Sequence, residues 1–466
     1  MTEPNAEDLP PGAFRPLLSL VRLALRPLDR FLHIQAASGV LLLVAATLAM
    51  AWANSPWGES YRALWQTTVG IRLGPWAFDR DLAWVVNDGL MVIFFFVVGL
   101  EIRRELDHGE LSELRRAALP VACALGGMLV PAGLYLVIAR SEVARPGWGV
   151  PMATDIAFAV GVLALLGTRV PPALRVLLLA LAVIDDLGAI LVIALFYSSK
   201  ISFAGFLVAL SGVAFVLLLQ AVGVRQKLAY VPAGVVVWAG IYAAGVHPTI
   251  AGVIIGLLTP VAAWRGASGF LRDVERTIGE ARGRTGGLSP GELARHLDAI
   301  HVARREALSP AESLIELLHP WVAFGIMPLF ALANAGVSLA GLELAGEGSW
   351  IAIGTALGLV LGKSLGILLV GGAAVGARVA ILPAGLRGRH LLVVGVVAGI
   401  GFTMSLFIAQ LAFDDPAHLG AAKLGVLIGS LVAGLVGWGL GRALLRPSAE
   451  QRGAASADEA ESSTVL

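Results

Sequence analysis

Long apolar runs separated by short polar stretches dominate this chain. Measured against the roughly 17 or more residues that a bilayer crossing requires, the pattern predicts twelve spans: 35–53, 84–100, 117–139, 150–168, 176–199, 201–224, 228–246, 248–264, 320–342, 349–377, 391–413 and 424–441. Between the first two, residues 67–78 place β-formers on either side of Leu73-Gly74-Pro75. That stretch reads either as a short β-hairpin or as an ordinary polar loop. A lone two-stranded hairpin is marginal, so the hairpin reading carries the expectation that it pairs with a second copy of itself. Residues 265–319 form a polar loop with eight Arg among Asp and Glu, and Leu293, Leu297 and Ile300 recur there at the spacing of a short surface helix. The chain thus divides into an arm (1–34), an all-α membrane domain (35–443, including loop 265–319) and a tail (444–466). The tail is too poor in large apolar residues to offset its ordering entropy and is expected to be disordered.

Composition agrees with this division: 57% of residues are hydrophobic, only 14% are charged, and the mean hydropathy is +0.81. A soluble domain carries more charge. With the N-terminus placed in the cytoplasm, the arm and the loops on its side hold 26 Lys and Arg, against 7 in the opposite loops. The positive-inside rule then puts both termini, and loop 265–319, in the cytoplasm, and makes 67–78 extracytoplasmic. The polar arm is long for a secretion signal and a second span follows, so the first span is expected to be a retained helix. The net charge of +1 gives no reason to expect a nucleic-acid partner. Cys123 is the only cysteine, which excludes an intramolecular disulfide and fits a small buried residue.

Five ionisable residues interrupt the apolar runs: Asp88, Asp155, Asp185, Asp186 and Lys363. One carboxylate at the bilayer centre costs roughly 2.5–3.5 kcal/mol on insertion scales, so the adjacent pair Asp185-Asp186 points to an ion or proton site. Neighbours on a helix face about 100° apart, so one of the two can line a cavity while the other pairs sideways. Four buried acids and one buried base require protons, cations or the Lys363 ammonium as neutralising partners. Buried neighbouring carboxylates hold protons more tightly, and protons then compete with metal ions near neutral pH. With no His or Cys beside the aspartates, sodium or lithium suits the site better than zinc or copper. Pro151 and Thr154 precede Asp155, and Gly395, Gly399 and Gly401 precede Phe402-Thr403-Met404-Ser405. These two spans are either kinked, closely packed helices or helices broken at mid-membrane, whose half-helix ends Asp155 and Lys363 could offset.

The motifs Asn87-Asp88-Gly89-Leu90-Met91, Ala153-Thr154-Asp155-Ile156-Ala157-Phe158, Ile184-Asp185-Asp186-Leu187-Gly188-Ala189, Leu361-Gly362-Lys363 and Gly401-Phe402-Thr403-Met404-Ser405 follow one another in this order. Together they closely resemble the NhaA-type sodium/proton antiporters of bacterial inner membranes, from about the first span to the twelfth. The resemblance, not the spacing, implies twelve transmembrane helices with inverted repeats (spans 3–5 and 10–12) and two discontinuous helices crossing at mid-membrane. It implies that Asp185 and Asp186 bind Na+ and protons, Asp186 most directly facing the cation, with Thr154 and Asp155 beside them and Gly401 and Thr403 on the second broken helix. It further implies that Lys363 compensates charge at the crossing and can itself give up a proton, and that Asp88 stands near a funnel. The resemblance also suggests that Glu101, Arg104 and Glu105 join Glu316 and His319 in a cytoplasmic pH-responsive cluster. Here the chain departs from the pattern: Ile315 stands where the best-known members carry an acid, Glu316 where they carry a histidine, and the preceding loop is unusually long. The bland alternatives are interfacial charges for Glu101–Glu105, a helix-start role for His319 and a structural role for His247.

The function expected is electrogenic exchange, Na+ or Li+ outward against protons inward, with two protons per cation implied by the resemblance, and no cofactor. Partners are the lipid bilayer and a second copy of the chain through 67–78. Two other classes compete. A sodium-coupled symporter would need a pocket for an organic solute, and exchange measured with only sodium and protons present separates the two. An intramembrane aspartyl protease needs its carboxylates facing across helices, usually with a Gly-x-Gly-Asp motif, which this sequence lacks.

Overall fold

A computed structural model describes residues 37–74, 76–198, 201–282, 289–339 and 346–445. The arm 1–34 and nearly all of the tail 444–466 lie outside the described residues. In chain order the elements are α1 (Ala37–Ala53), α2 (Gly58–Gln66), β1 (Thr68–Leu73), β2 (Trp76–Asp81), α3 (Leu82–His108) and α4 (Leu114–Ile138). A 3-10 segment (Arg145–Met152) leads into α5 (Ile156–Leu165), followed by α6 (Pro172–Phe196), α7 (Phe203–Ala221), α8 (Lys227–Ala243) and α9 (Thr249–Leu258). Then come α10 (Gly266–Arg282), α11 (Pro290–Ala307), α12 (Pro310–Asn334), α13 (Glu347–Gly376), α14 (Gly388–Ala398), α15 (Phe402–Ala412) and α16 (Pro416–Leu444).

Among the described residues seven helices are long and apolar enough to cross a membrane, or up to ten if each bent pair is one span. The chain is therefore a multi-pass membrane protein. Two of the bent pairs, Arg145–Met152 with α5 (41°) and α14 with α15 (49°), fall where Pro151 and the Gly399–Gly401 stretch interrupt the sequence pattern. The third joins α1 to the amphipathic α2 at 112°, so α2 does not continue α1. α8 and α9 are shorter than the runs 228–246 and 248–264 drawn from hydropathy. α9 stops at Leu258 because Pro260, which has no N–H to donate, holds the intervening Thr259 extended.

The hairpin exists, with β1 antiparallel to β2 in the register Thr68↔Asp81 to Leu73↔Trp76. Its second strand runs on to Asp81, whose carboxylate caps α3 by accepting the Trp84 N–H at 2.7 Å. Loop 265–319 holds more than the short surface helix read from the sequence. It contains α10 and α11 and the first turns of α12, with Ser289/Glu292 and Ser309/Glu312 capping boxes opening the last two. The two loop helices are tied to the membrane domain through Glu306, 4% exposed. Its carboxylate pairs with Arg225 and, at 2.8 Å, with Arg265, while Arg225 lies over the Trp264 ring at 4.4 Å.

Close backbone approach, not long side chains, sets the helix crossings that carry the site. A Cβ at Gly126 on α4 would run into the Gly366 carbonyl on α13, and one at Gly366 into the Gly126 carbonyl. Small residues at helix contacts in membranes permit this spacing. Gly366→Leu is expected to push α13 from α4 and to cut the yield of folded protein in the membrane by about tenfold or more, a core-overpacking effect of about 1–3 kcal/mol. Detergent-extracted protein that is monodisperse by size exclusion reads the outcome.

Candidate functional site

The two interrupted segments meet at mid-chain of their spans and exchange hydrogen bonds. Asp155 N–H donates to the Ile400 carbonyl at 2.7 Å. Thr403 N–H donates to Asp155 Oδ2 at 3.1 Å, and the Thr403 hydroxyl donates to the same oxygen. Ser405 Oγ donates to the Val150 carbonyl at 2.7 Å, while the Ser430 hydroxyl of α16 accepts the Phe402 N–H at 3.0 Å. A helix end leaves backbone groups without partners, and here some are satisfied by the opposite segment, the Phe402 N–H by Ser430 of α16 and the Phe158 N–H by Asp155 itself. Asp155 also caps α5, its Oδ1 accepting the Phe158 N–H at 3.0 Å. Gly401 admits the approach: a Cβ there would lie 2.9 Å from the Ala153 carbonyl and closer still to Ser405 Oγ.

Asp185 and Asp186 sit on α6 beside this crossing, 0% and 1% exposed. Asp185 is held from two sides. Lys363 Nζ lies 2.9 Å from its Oδ2, both side chains fully buried, and the Thr154 hydroxyl is 2.8 Å from the same oxygen and 3.0 Å from the Ala398 carbonyl. Lys363 also donates to the Met152 carbonyl. It stands at the end of a π-helical turn, Gly358–Gly362, where the chain of α13 widens; such turns recur at functional sites. Asp186 faces elsewhere, as the 100° step requires. Its Oδ1 and Asp185 Oδ1 are buried without a hydrogen-bond donor. Asp185, Lys363 and Thr154 thus form one buried cluster drawn from three segments, with Asp186 the next residue on α6 and one carboxylate oxygen of each aspartate able to accept.

Asp88 lies apart, in a second π-helical turn, Val85–Leu90, at the hairpin end of α3. His247 Nε2 is 3.3 Å from its carboxylate, and His247 Nδ1 is 2.8 Å from the Thr249 hydroxyl. The sequence marked each of these residues separately and did not pair them. At the opposite end of α3, Glu101 and His319 approach to 3.9 Å, and Arg104 and Glu105 to 3.9 Å. Glu316 is exposed one turn before His319, and Ile315 packs with Leu100 and Ala311 in a small apolar cluster.

With this geometry in place the relatives become informative. The family model described as Na+/H+ antiporter 1 matches residues 29–440. The chain belongs to that family. Across its whole length it is 61% identical to Na(+)/H(+) antiporter NhaA 2 of Myxococcus xanthus, covering 100% of this chain and 99% of the relative. It is 57% identical to the protein of the same name from Sorangium cellulosum, with 99% of each covered. With Na(+)/H(+) antiporter NhaA of Janthinobacterium sp. it shares 47% identity over 92% of this chain and 96% of the relative. As a member of a transporter family the chain is not assigned an enzyme's chemistry, and neither the symporter nor the protease reading is favoured.

Proposed function

We propose that this chain is a secondary antiporter of the bacterial inner membrane that expels Na+ or Li+ in exchange for protons. The observation that carries the reading is the buried pair at the broken-helix crossing. Asp185 is bound sideways to Lys363 and Thr154, and Asp186 keeps an oxygen without a donor. An alkali-metal ion is a hard, oxygen-seeking charge. Seated on the pair it makes retention of their protons unfavourable, and two protons on the pair remove the negative charge that holds the ion. Binding of one is release of the other.

Thr154 orients Asp185. Asp155 and Thr403 hold the two half-helices in register, with Gly401 admitting the close approach. Lys363 balances the charge of Asp185 when no cation is present and is the second group able to carry a proton through the cycle. Asp88 gives the extracytoplasmic funnel its negative charge. Glu101, Arg104, Glu105, Glu316 and His319 form the cytoplasmic region through which pH regulates exchange. Twelve crossings in inverted repeats are supported by the matching order of long, interrupted and long helix in α4–α6 and α13–α16. Both termini are taken as cytoplasmic from the distribution of basic residues. Two protons in for each cation out move one net charge inward, worth about 2.3 kcal/mol per 100 mV. That drives sodium outward against more than a tenfold gradient.

Everted or reconstituted vesicles containing only Na+ and protons test the proposal: addition of Na+ should collapse a preset pH gradient. No response to Na+ or Li+ at any pH would refute it. A homodimer through the hairpin is the assembly we propose, with Val69 and Phe78 exposed on its strands. Single cysteines at those positions should cross-link in native membranes, and no cross-linked species would count against the dimer.

A further inference from the structure

Toward the hairpin end, three helices are joined by a chain of side-chain amides that no part of the exchange chemistry uses. Gln410 on α15 donates to Asn334 Oδ1 on α12. Asn334 Nδ2 in turn donates to Asn87 Oδ1 on α3 at 2.7 Å and to the Phe330 carbonyl at 3.0 Å. Asn334 is 2% exposed. Below the amides lies an aromatic layer on the same three helices, Phe407 with Phe95 at 5.3 Å and with Phe330 at 6.2 Å between ring centroids. Phe330 and Phe407 each precede their amide by about one turn, and Asn87 precedes Phe95 by two turns on a helix that starts at the hairpin. The amide layer therefore sits on the hairpin side of the rings on all three helices.

Buried amides among apolar helices are expensive unless every group is satisfied, and apolar residues of the same shape would pack at least as well. What the chain supplies is a directional tie. It fastens α15, the half-helix whose other end holds Thr403 against Asp155, to α3 and α12, which lie outside both proposed repeats.

We propose that the Asn87–Asn334–Gln410 chain is the latch that closes the hairpin-side route to the aspartate pair, and that Gln410 is the residue that releases when the pair is reached from that side. The inference rests on the antiporter reading. Alternating access needs two states whose balance sets the affinity seen from each face, since a competent state populated to a fraction f weakens apparent binding by 1/f. Gln410 is half-buried, and removing its one amide hydrogen bond to Asn334 shifts such a balance by about five- to tenfold.

The test is the apparent KM for Na+ measured separately on the two faces of oriented vesicles, for the wild type and for Gln410→Met, which keeps volume and loses the amide. The expected result is a hairpin-side KM five- to tenfold lower, with the loop-side KM equal or higher. A hairpin-side KM that is unchanged or raised, or a change in kcat alone, overturns the latch. Gln410→Ala carries the same comparison if Gln410→Met does not reach the membrane. Failure of the wild type to exchange at all is a different result and strikes the antiporter reading itself.

Discussion

Asp186→Asn should abolish Na+-driven proton movement, to below about 1% of the wild-type rate, while the protein accumulates in the membrane and keeps its thermal stability. Both halves of this expectation follow from the surroundings of the side chain. Asp186 is buried with Oδ1 lacking a donor, so a neutral amide there is easier to bury than a carboxylate. The fold loses little. The site loses one of the two charges that a cation and its competing protons share, and neither exchange partner is then held. Asp185→Asn should abolish exchange as well but with a different stability signature, because it also removes the partner of Lys363. Na+-dependent proton movement in vesicles, paired with a thermal-shift measurement, separates the two. Wild-type activity in both variants would defeat the assignment of the pair.

The second large effect is on stability. Lys363→Ala is expected to lower the thermal midpoint by several degrees, because removing one partner of a fully buried ion pair costs about 3–5 kcal/mol. Protonation of the abandoned Asp185 relieves part of that cost. The double variant Lys363→Ala/Asp185→Asn should recover much of the loss, since the uncompensated charge is gone, and the cycle of single and double variants gives the coupling between the two groups. A midpoint unchanged in Lys363→Ala, or a double variant no more stable than the single, would remove the charge-compensating role from Lys363.

The parts of this account legible in the sequence are those in which local chemistry contradicts its surroundings. Acids inside apolar runs marked Asp155, Asp185 and Asp186, and Pro151 and the glycines before Phe402 marked the two interrupted segments. The crossing itself was not legible. Its hydrogen bonds, Asp155 N–H to Ile400 and Ser405 to Val150, join residues about 250 positions apart. The same holds for the Asp88–His247 pair and for Asn334 and Gln410, single polar residues that periodicity cannot tell from incidental ones. Hydropathy also overran α9, because apolar residues continue past Pro260 although the helix does not. The helices before α12 are faint in the sequence for the converse reason: they present mixed charges to the outside and are anchored by Glu306, whose partners Arg225 and Arg265 lie far apart along the chain.

Mutual exclusion of protons and a cation on the Asp185–Asp186 pair is the claim on which the mechanism stands, and direct titration tests it. Purified protein in weakly buffered detergent solution is given Na+ while released protons are counted across a series of starting pH values. Linkage requires that the ion displace protons, that the number per bound Na+ rise toward two as the starting pH falls, and that the apparent Kd for Na+ weaken up to tenfold per pH unit for each proton displaced. Na+ bound without proton release at every pH, with an affinity independent of pH, would contradict the mechanism.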